Sequence, residues 1–89
     1  MNQLKCLVVD DEPLARKGMG EYIREVDFLE WVGECGNPAQ AAKFLNEASI
    51  DLMLLDIQMP GMTGLEFLRD LKSPPMVIIT TAFSEFALE

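Results

Sequence analysis

The chain has 89 residues, of which 49% are apolar, and 7 basic against 15 acidic residues give it a net charge of −8. That length suits one small globular domain and is too short for two separate cores. A chain this acidic, with no cluster of basic residues, repels nucleic acid phosphates and anionic lipid, so we expect it not to contact DNA or membranes itself.

The cysteine and histidine content argues against several kinds of site. Cys6 and Cys35 lie far apart without a C-x-x-C pattern, and the chain contains no histidine. This composition disfavours a zinc site, a disulfide scaffold and a thiol triad, so we expect two reduced thiols in or near the core. The apolar opening from Leu4 to Val9 is too short for a signal peptide or a membrane span, so we expect a cytoplasmic protein.

Apolar runs alternate with helical patterns along the chain, which is typical of a parallel α/β sheet. Leu4 to Val9 is the first predicted strand. The first helix is predicted to open at Pro13, because apolar residues then recur at helical spacing: Ala15, Met19, Tyr22, Ile23 and Val26. Residues Trp31 to Cys35 are the second predicted strand.

The second half of the chain continues the alternation. Helix two is predicted to begin with Asn37 as N-cap, Pro38 as first residue and Gln40 completing a capping box, with an inner face of Ala41, Phe44, Leu45 and Ala48. Strand three is predicted from Asp51 to Asp56 and helix three from about Gly64 to Leu71. Strand four is predicted from Met76 to Thr80, and Ser84 to Glu89 opens a further helix.

Polar residues stand at the carboxyl ends of three predicted strands, where open parallel sheets bind ligands. Asp10 and Asp11 follow strand one, Asp56 ends strand three, and Thr80 and Thr81 end strand four. If these strands are neighbours, the carboxylates meet at one place and need a cation such as Mg²⁺ to offset their repulsion. A carboxylate held beside Mg²⁺ can attack a phosphoryl group as a nucleophile.

Each of these residues also has an ordinary structural interpretation. Asp10 and Asp11 could cap the helix that begins at Pro13, and Asp56 could be a turn acid at the end of a strand. Thr80 and Thr81 are common strand residues, and Thr80 is expected to point away from the site because neighbouring residues alternate faces. The occurrence of acids and hydroxyls at three strand ends favours a functional site over these separate explanations.

The segments "VVDDEP", "LLDIQMPGMTG" and "ITTA", in this order, resemble the receiver domain of two-component response regulators. The resemblance covers all 89 residues, and the "TTAF…EFAL" ending resembles receivers that precede a LytTR-type DNA-binding domain. It implies one receiver domain over residues 1–89, with a flavodoxin-like, doubly wound parallel sheet of strand order 2-1-3-4-5. It also implies a sensor histidine kinase as partner, and DNA binding only through a downstream domain.

The resemblance assigns a role to each matching site residue. Asp56 corresponds to the phosphoacceptor, and Asp11 and Asp56 to direct Mg²⁺ ligands, while Asp10 acts through water. Gln58 supplies a further metal ligand through its backbone carbonyl. Thr81 corresponds to the hydroxyl that bonds a phosphoryl oxygen and moves on activation.

One part of the family pattern is missing from this sequence. Receivers carry a lysine, followed by proline, at the end of strand five, whereas the last lysine here is Lys72. Because this lysine and proline are missing, we expect strand five and helix five to be absent from this chain. Pro60 and Gly64, by contrast, do match the family's turn after the phosphoacceptor strand. We also expect self-association through the exposed edge of strand four.

Three functions are compatible with these residues. The first is a phosphoacceptor signalling module that takes a phosphoryl group from a sensor kinase and does not turn over as an enzyme. The second is a pseudo-receiver, an interaction module not competent for signalling because the lysine is absent. The third is a Mg²⁺-dependent phosphohydrolase, which is disfavoured because such enzymes usually carry a second aspartate where this chain has Gln58.

Overall fold

The computed structural model describes residues 3–57 and 63–80. Within these residues strands and helices alternate, as predicted. In chain order they are β1 (Leu4–Val9), α1 (Pro13–Arg24), β2 (Leu29–Cys35), α2 (Pro38–Glu47), β3 (Leu52–Asp56), α3 (Gly64–Asp70) and β4 (Met76–Thr80). None of the helices in the described part of the chain is long and apolar enough to cross a membrane.

The four strands form one parallel sheet in the order β2-β1-β3-β4, which confirms the predicted order. At its carboxyl edge Val9 lies opposite Leu55, and Asp56 lies opposite Thr80. The central strands β1 and β3 are almost continuously apolar because helices cover both of their faces. This order brings the carboxyl ends of β1, β3 and β4 side by side.

Two core clusters divide the residues of β1 between the two faces of the sheet. Leu7 and Val9 pack with Ala41 of α2 and Phe67 of α3. Cys6 and Val8 pack on the other face, with α1 and Leu52. The fold is therefore doubly wound, with α1 on one face and α2 and α3 on the other.

Side-chain caps set the starts of α2 and α3. Asn37 Oδ1 accepts from the Gln40 amide at 2.8 Å, which confirms the predicted N-cap, but Gln40 Oε1 accepts from the Gly36 amide and not from Asn37. In α3 the capping box is complete: Thr63 Oγ1 accepts from the Glu66 amide at 3.1 Å, and Glu66 Oε1 accepts from the Thr63 amide at 2.9 Å. The sequence contains the T-x-x-E pattern of this second capping box, but the sequence analysis did not predict it.

Two predicted strand starts were wrong. β2 begins at Leu29 and not at Trp31, because Leu29 pairs with Leu4 and extends the ladder by two residues. β3 begins at Leu52 and not at Asp51, whose carboxylate instead accepts from the Lys5 amide at 2.8 Å. In both cases the strand boundary depends on the neighbouring strand, which local sequence does not reveal.

Several predicted helix residues lie outside the packed face. Tyr22 is 70% exposed and Ala15 is also exposed, whereas Ile23 is buried. Val26 lies beyond the end of α1, and Ala48 is the exposed C-cap of α2. Leu71 is the C-cap of α3, so that helix ends one residue earlier than predicted. The predicted helix at Ser84 to Glu89 lies outside the described residues.

The two cysteines are free and buried, as predicted. Burial raises the pKa of both thiols above the usual value of a cysteine. For Cys35 the positive charge of Arg16 acts against this rise without cancelling it. Both groups therefore stay protonated and unreactive near neutral pH.

Candidate functional site

The loop after β1 holds the first two acids of the site. Asp10 is only 9% exposed, and Asp11 is half-buried. The Asp10 amide donates to the Cys35 carbonyl at 3.0 Å, and Asp10 Oδ1 accepts from the Glu12 amide at 2.9 Å. The N-cap of α1 is Glu12, so neither Asp10 nor Asp11 is the N-cap, contrary to the structural interpretation of these two residues.

Asp56 is the last residue of β3 and is 4% exposed. Its position depends on its neighbours on both sides: β4 continues the ladder, with the Ile57 amide donating to the Thr80 carbonyl at 3.1 Å. The start of α3 packs directly over its backbone, since a Cβ built on Gly64 would lie 2.5 Å from the Asp56 carbonyl oxygen. Only glycine fits this approach without displacing the strand end.

The fold brings the three predicted acids together. One carboxylate oxygen from each of Asp10, Asp11 and Asp56 can be chosen so that all lie within 4.8 Å of one another. Three carboxylates at this separation repel one another strongly unless protons or a cation join them. Carboxylate oxygen is the ligand that Mg²⁺ and Ca²⁺ prefer, so the donor set fits a hard divalent cation.

The remaining predicted site residues are only partly described. Gln58, Pro60 and Thr81 lie outside the described residues, so their assigned roles stay predictions. Thr80 is described and lines a cavity of about 290 Å³ between α1 and the edge of the sheet. The other residues around this cavity are Asp10, Glu12, Ala15, Gly18, Met19 and Tyr22.

Arg16 is a residue at the site that the sequence analysis did not identify. It lies in the first turns of α1, and its Nη1 donates to the Asp10 carbonyl at 2.7 Å. Its Nε donates to Glu34 Oε1, also at 2.7 Å. In sequence it is one of several cations on the first helix, and no local pattern distinguishes it from Lys17 or Arg24.

Comparison with known proteins identifies the class of domain that this fold and acidic cluster define. The sequence matches the response regulator receiver domain family over residues 6–88. The chain therefore belongs to the response regulator receiver domain family. Receiver domains are signalling modules rather than classical enzymes, and they generally bind Mg²⁺ in an acidic pocket.

The sequence is similar to transcriptional regulatory protein BtsR of Escherichia coli K12, with 39% identity over 88 residues. This match covers 97% of the chain but 37% of the relative, so the chain spans just over a third of that protein's length. The Salmonella typhimurium BtsR is 40% identical over the same share of each chain.

Among solved structures, the fold is similar to the response regulator domain of Thermotoga maritima CheB, with a TM-score of 0.83 at 27% identity. That match covers 93% of this chain and 63% of the other. The receiver domain of the putative response regulator NarL from Mycobacterium tuberculosis gives a TM-score of 0.81 at 30% identity, covering 99% of this chain and 73% of the other.

Proposed function

We propose that this chain accepts a phosphoryl group from a sensor histidine kinase onto Asp56 in the presence of Mg²⁺. The observation that carries the proposal is the cluster of Asp10, Asp11 and Asp56, whose carboxylate oxygens lie within 4.8 Å of one another at adjacent strand ends. With no histidine of its own, the chain is the acceptor and the kinase the donor.

The roles of the individual residues follow from the family likeness together with the geometry. Asp11 and Asp56 bind Mg²⁺ directly, and Asp10 binds it through water, in keeping with the commitment of Asp10 Oδ1 to the Glu12 amide. The backbone carbonyl of Gln58 is a further ligand, and the Thr81 hydroxyl bonds a phosphoryl oxygen. Mg²⁺ bound here offsets negative charge on the carboxylates and on the phosphoryl oxygens.

The output and surroundings of the chain are proposed from its relatives. Because the similar BtsR proteins are transcriptional regulators, we propose that a downstream domain of LytTR type binds DNA and that residues 1–89 form its receiver domain. The protein then works in the cytoplasm, where a kinase can reach it. It does not insert into the membrane.

We also propose that the chain self-associates, with a second copy of the chain binding at the edge of β4. In the described sheet β4 pairs with β3 on one side only, and Met76, Ile78 and Ile79 are between 41% and 62% exposed. Such an edge can pair with the same strand of a second copy. Light scattering of the 89-residue chain across a concentration series tests this, and a monomer at every concentration contradicts it.

Incubation with Mg²⁺ and acetyl phosphate, followed by intact mass measurement, tests the central proposal. We expect one phosphoryl adduct in the native chain and none in Asp56→Asn. A matched control is Asp51→Asn, which removes the same charge at the other end of β3 and keeps an oxygen to accept from the Lys5 amide. This control should be phosphorylated like the native chain.

The outcomes distinguish the competing functions. An adduct that persists in Asp56→Asn places the acceptor elsewhere, with Asp10 or Asp11 as candidates. Continuous phosphate release without a lasting adduct would indicate a phosphohydrolase. Mg²⁺ binding with neither adduct nor release would indicate a pseudo-receiver.

A further inference from the structure

Arg16 is tied to the acidic loop and to the end of β2 at the same time. Its Nη1 donates to the backbone carbonyl of Asp10 and its Nε to the Glu34 carboxylate, both at 2.7 Å. The Arg16 side chain is 18% exposed and that of Glu34 is 40% exposed, so the bond to the Asp10 carbonyl is better shielded from water than the bond to Glu34. A planar guanidinium can make two such bonds in fixed directions at once.

The contacts of Arg16 complete the fixation of Asp10. The Asp10 amide already donates to the Cys35 carbonyl, and its carboxylate accepts from the Glu12 amide, so the Asp10 carbonyl is the group that Arg16 secures. Glycine at position 36, just after β2, leaves room for the guanidinium, because a Cβ there would lie only 3.1 Å from Arg16 Nη1. The peptide joining Asp10 to Asp11 is thereby held from the β2 side while both acids face Asp56.

We propose that Arg16 is a positioning residue for the cation site, which clamps the Asp10–Asp11 peptide so that both carboxylates are oriented before Mg²⁺ arrives. This inference rests on the Mg²⁺ binding in the proposed function. A site whose ligands are oriented in advance binds its metal more tightly than one whose loop must first be ordered.

Charge alone predicts the opposite effect. A guanidinium beside a cation site repels a divalent ion, so removing it by itself should strengthen Mg²⁺ binding. The ion pair with Glu34 at 2.7 Å offsets much of this repulsion and leaves the hydrogen bonds as the main contribution of Arg16. The sign of the change in Mg²⁺ affinity therefore separates a clamp from a surface charge.

The experiment is a Mg²⁺ titration by calorimetry on the native chain, Arg16→Met, Arg16→Lys and the matched control Lys17→Met. Lys17 is the next residue on α1 and is exposed, and its side chain makes no hydrogen bond or ion pair with any described residue. We expect Arg16→Met to bind Mg²⁺ about tenfold more weakly, in the range found when groups supporting metal ligands are removed. Arg16→Lys should be intermediate, since it keeps the charge and one donor, and Lys17→Met should be unchanged or slightly tighter.

Hydrogen exchange gives a second readout that does not depend on the metal. In metal-free Arg16→Met, the Glu12 amide, which donates to Asp10 Oδ1, should exchange faster than in the native chain. The Val8 amide in the middle of β1 should exchange at its native rate. A general loss of stability would speed both amides, whereas a released loop speeds only the first.

The results decide the inference in every case. If Arg16→Met binds Mg²⁺ as tightly as the native chain, or more tightly, the clamp is overturned. The metal site of the proposed function still stands in that case, because the native chain binds the ion. Failure of the native chain and Lys17→Met to bind Mg²⁺ removes the metal site of the proposed function, and the clamp with it. If Arg16→Met does not fold, Arg16→Lys decides: weaker binding at unchanged charge supports the clamp, and equal binding overturns it.

Discussion

Replacement of Gly64 by alanine should push the start of α3 away from the phosphoacceptor strand. The added Cβ would lie 2.5 Å from the Asp56 carbonyl oxygen, 3.2 Å from the Ile57 Cα and 3.3 Å from the Asp56 carbonyl carbon. All three neighbours are backbone atoms, so no side chain can rotate away. The helix and the strand end must separate, which also strains the bond from the Gly64 amide to the Ile57 carbonyl at 2.9 Å.

The size of the effect follows from that contact. A carbon and a carbonyl oxygen normally approach to about 3.3–3.6 Å, so the two backbones must move apart by roughly 1 Å. Such overpacking typically costs about 1–3 kcal/mol. Alanine recovers at most about 1 kcal/mol of helix preference, and less at a first helical residue. We therefore expect the free energy of unfolding to fall by about 1–2 kcal/mol.

Gly18→Ala is the matched control, because it makes the same chemical change where there is space. Gly18 lies inside α1, and among the described residues no neighbouring atom comes within 4 Å of the position that a Cβ would occupy. Alanine in a helix interior is about 0.5–1 kcal/mol more stable than glycine. The two substitutions should thus change stability in opposite directions.

Urea unfolding followed by circular dichroism measures both changes. A melting curve offers a second measure, since 1 kcal/mol shifts the midpoint by about 4–8 °C in a domain of this size. Gly64→Ala should also accept phosphoryl groups more slowly, because the backbone of Asp56 is displaced. A Gly64→Ala chain as stable as the native one, with Gly18→Ala stabilised as expected, would refute the close-approach argument.

Three further predictions concern the acids, the caps and the thiols. Asp11→Asn should weaken Mg²⁺ binding more than Asp10→Asn, because Asp10 Oδ1 is committed to the Glu12 amide; equal losses in calorimetry would count against Asp11 as the direct ligand. Asn37→Ala and Thr63→Ala should each lower the free energy of unfolding by about 1 kcal/mol, whereas the exposed Ser73→Ala should change it by less than about 0.5 kcal/mol. Because burial raises the pKa of Cys6 and Cys35, fewer thiolates form at pH 8 than in a free cysteine, so a disulfide reagent should modify both only in urea. Modification of the native chain at the rate of free cysteine would contradict this last expectation.

Local sequence was sufficient for much of the fold. The boundaries of β1 and β4 are those read from the apolar runs, and the Asn37 cap was correctly located. These features depend on contacts within a few residues or on a strand being apolar along its length. The Thr63 capping box is equally local, and it was missed although its T-x-x-E pattern is present.

The extent of β2 and the packed face of α1 depend on partners distant in the chain. Leu29 belongs to β2 because Leu4 lies opposite it, and Tyr22 is exposed although its helical spacing matches that of buried Ile23. A periodic pattern indicates that a face exists, but only the surrounding elements determine which of its residues are covered.

The same division applies to the site. The sequence alone located Asp10, Asp11 and Asp56 at strand ends, because strands and the turns that follow them are local features. Only the strand order β2-β1-β3-β4 brings their carboxylates within 4.8 Å. Arg16 lay beyond sequence reasoning, since its bonds to Asp10 and Glu34 exist only once α1 packs across the ends of β1 and β2. The strand-end position of each acid thus follows from local sequence, whereas the distances between the carboxylates depend on tertiary packing.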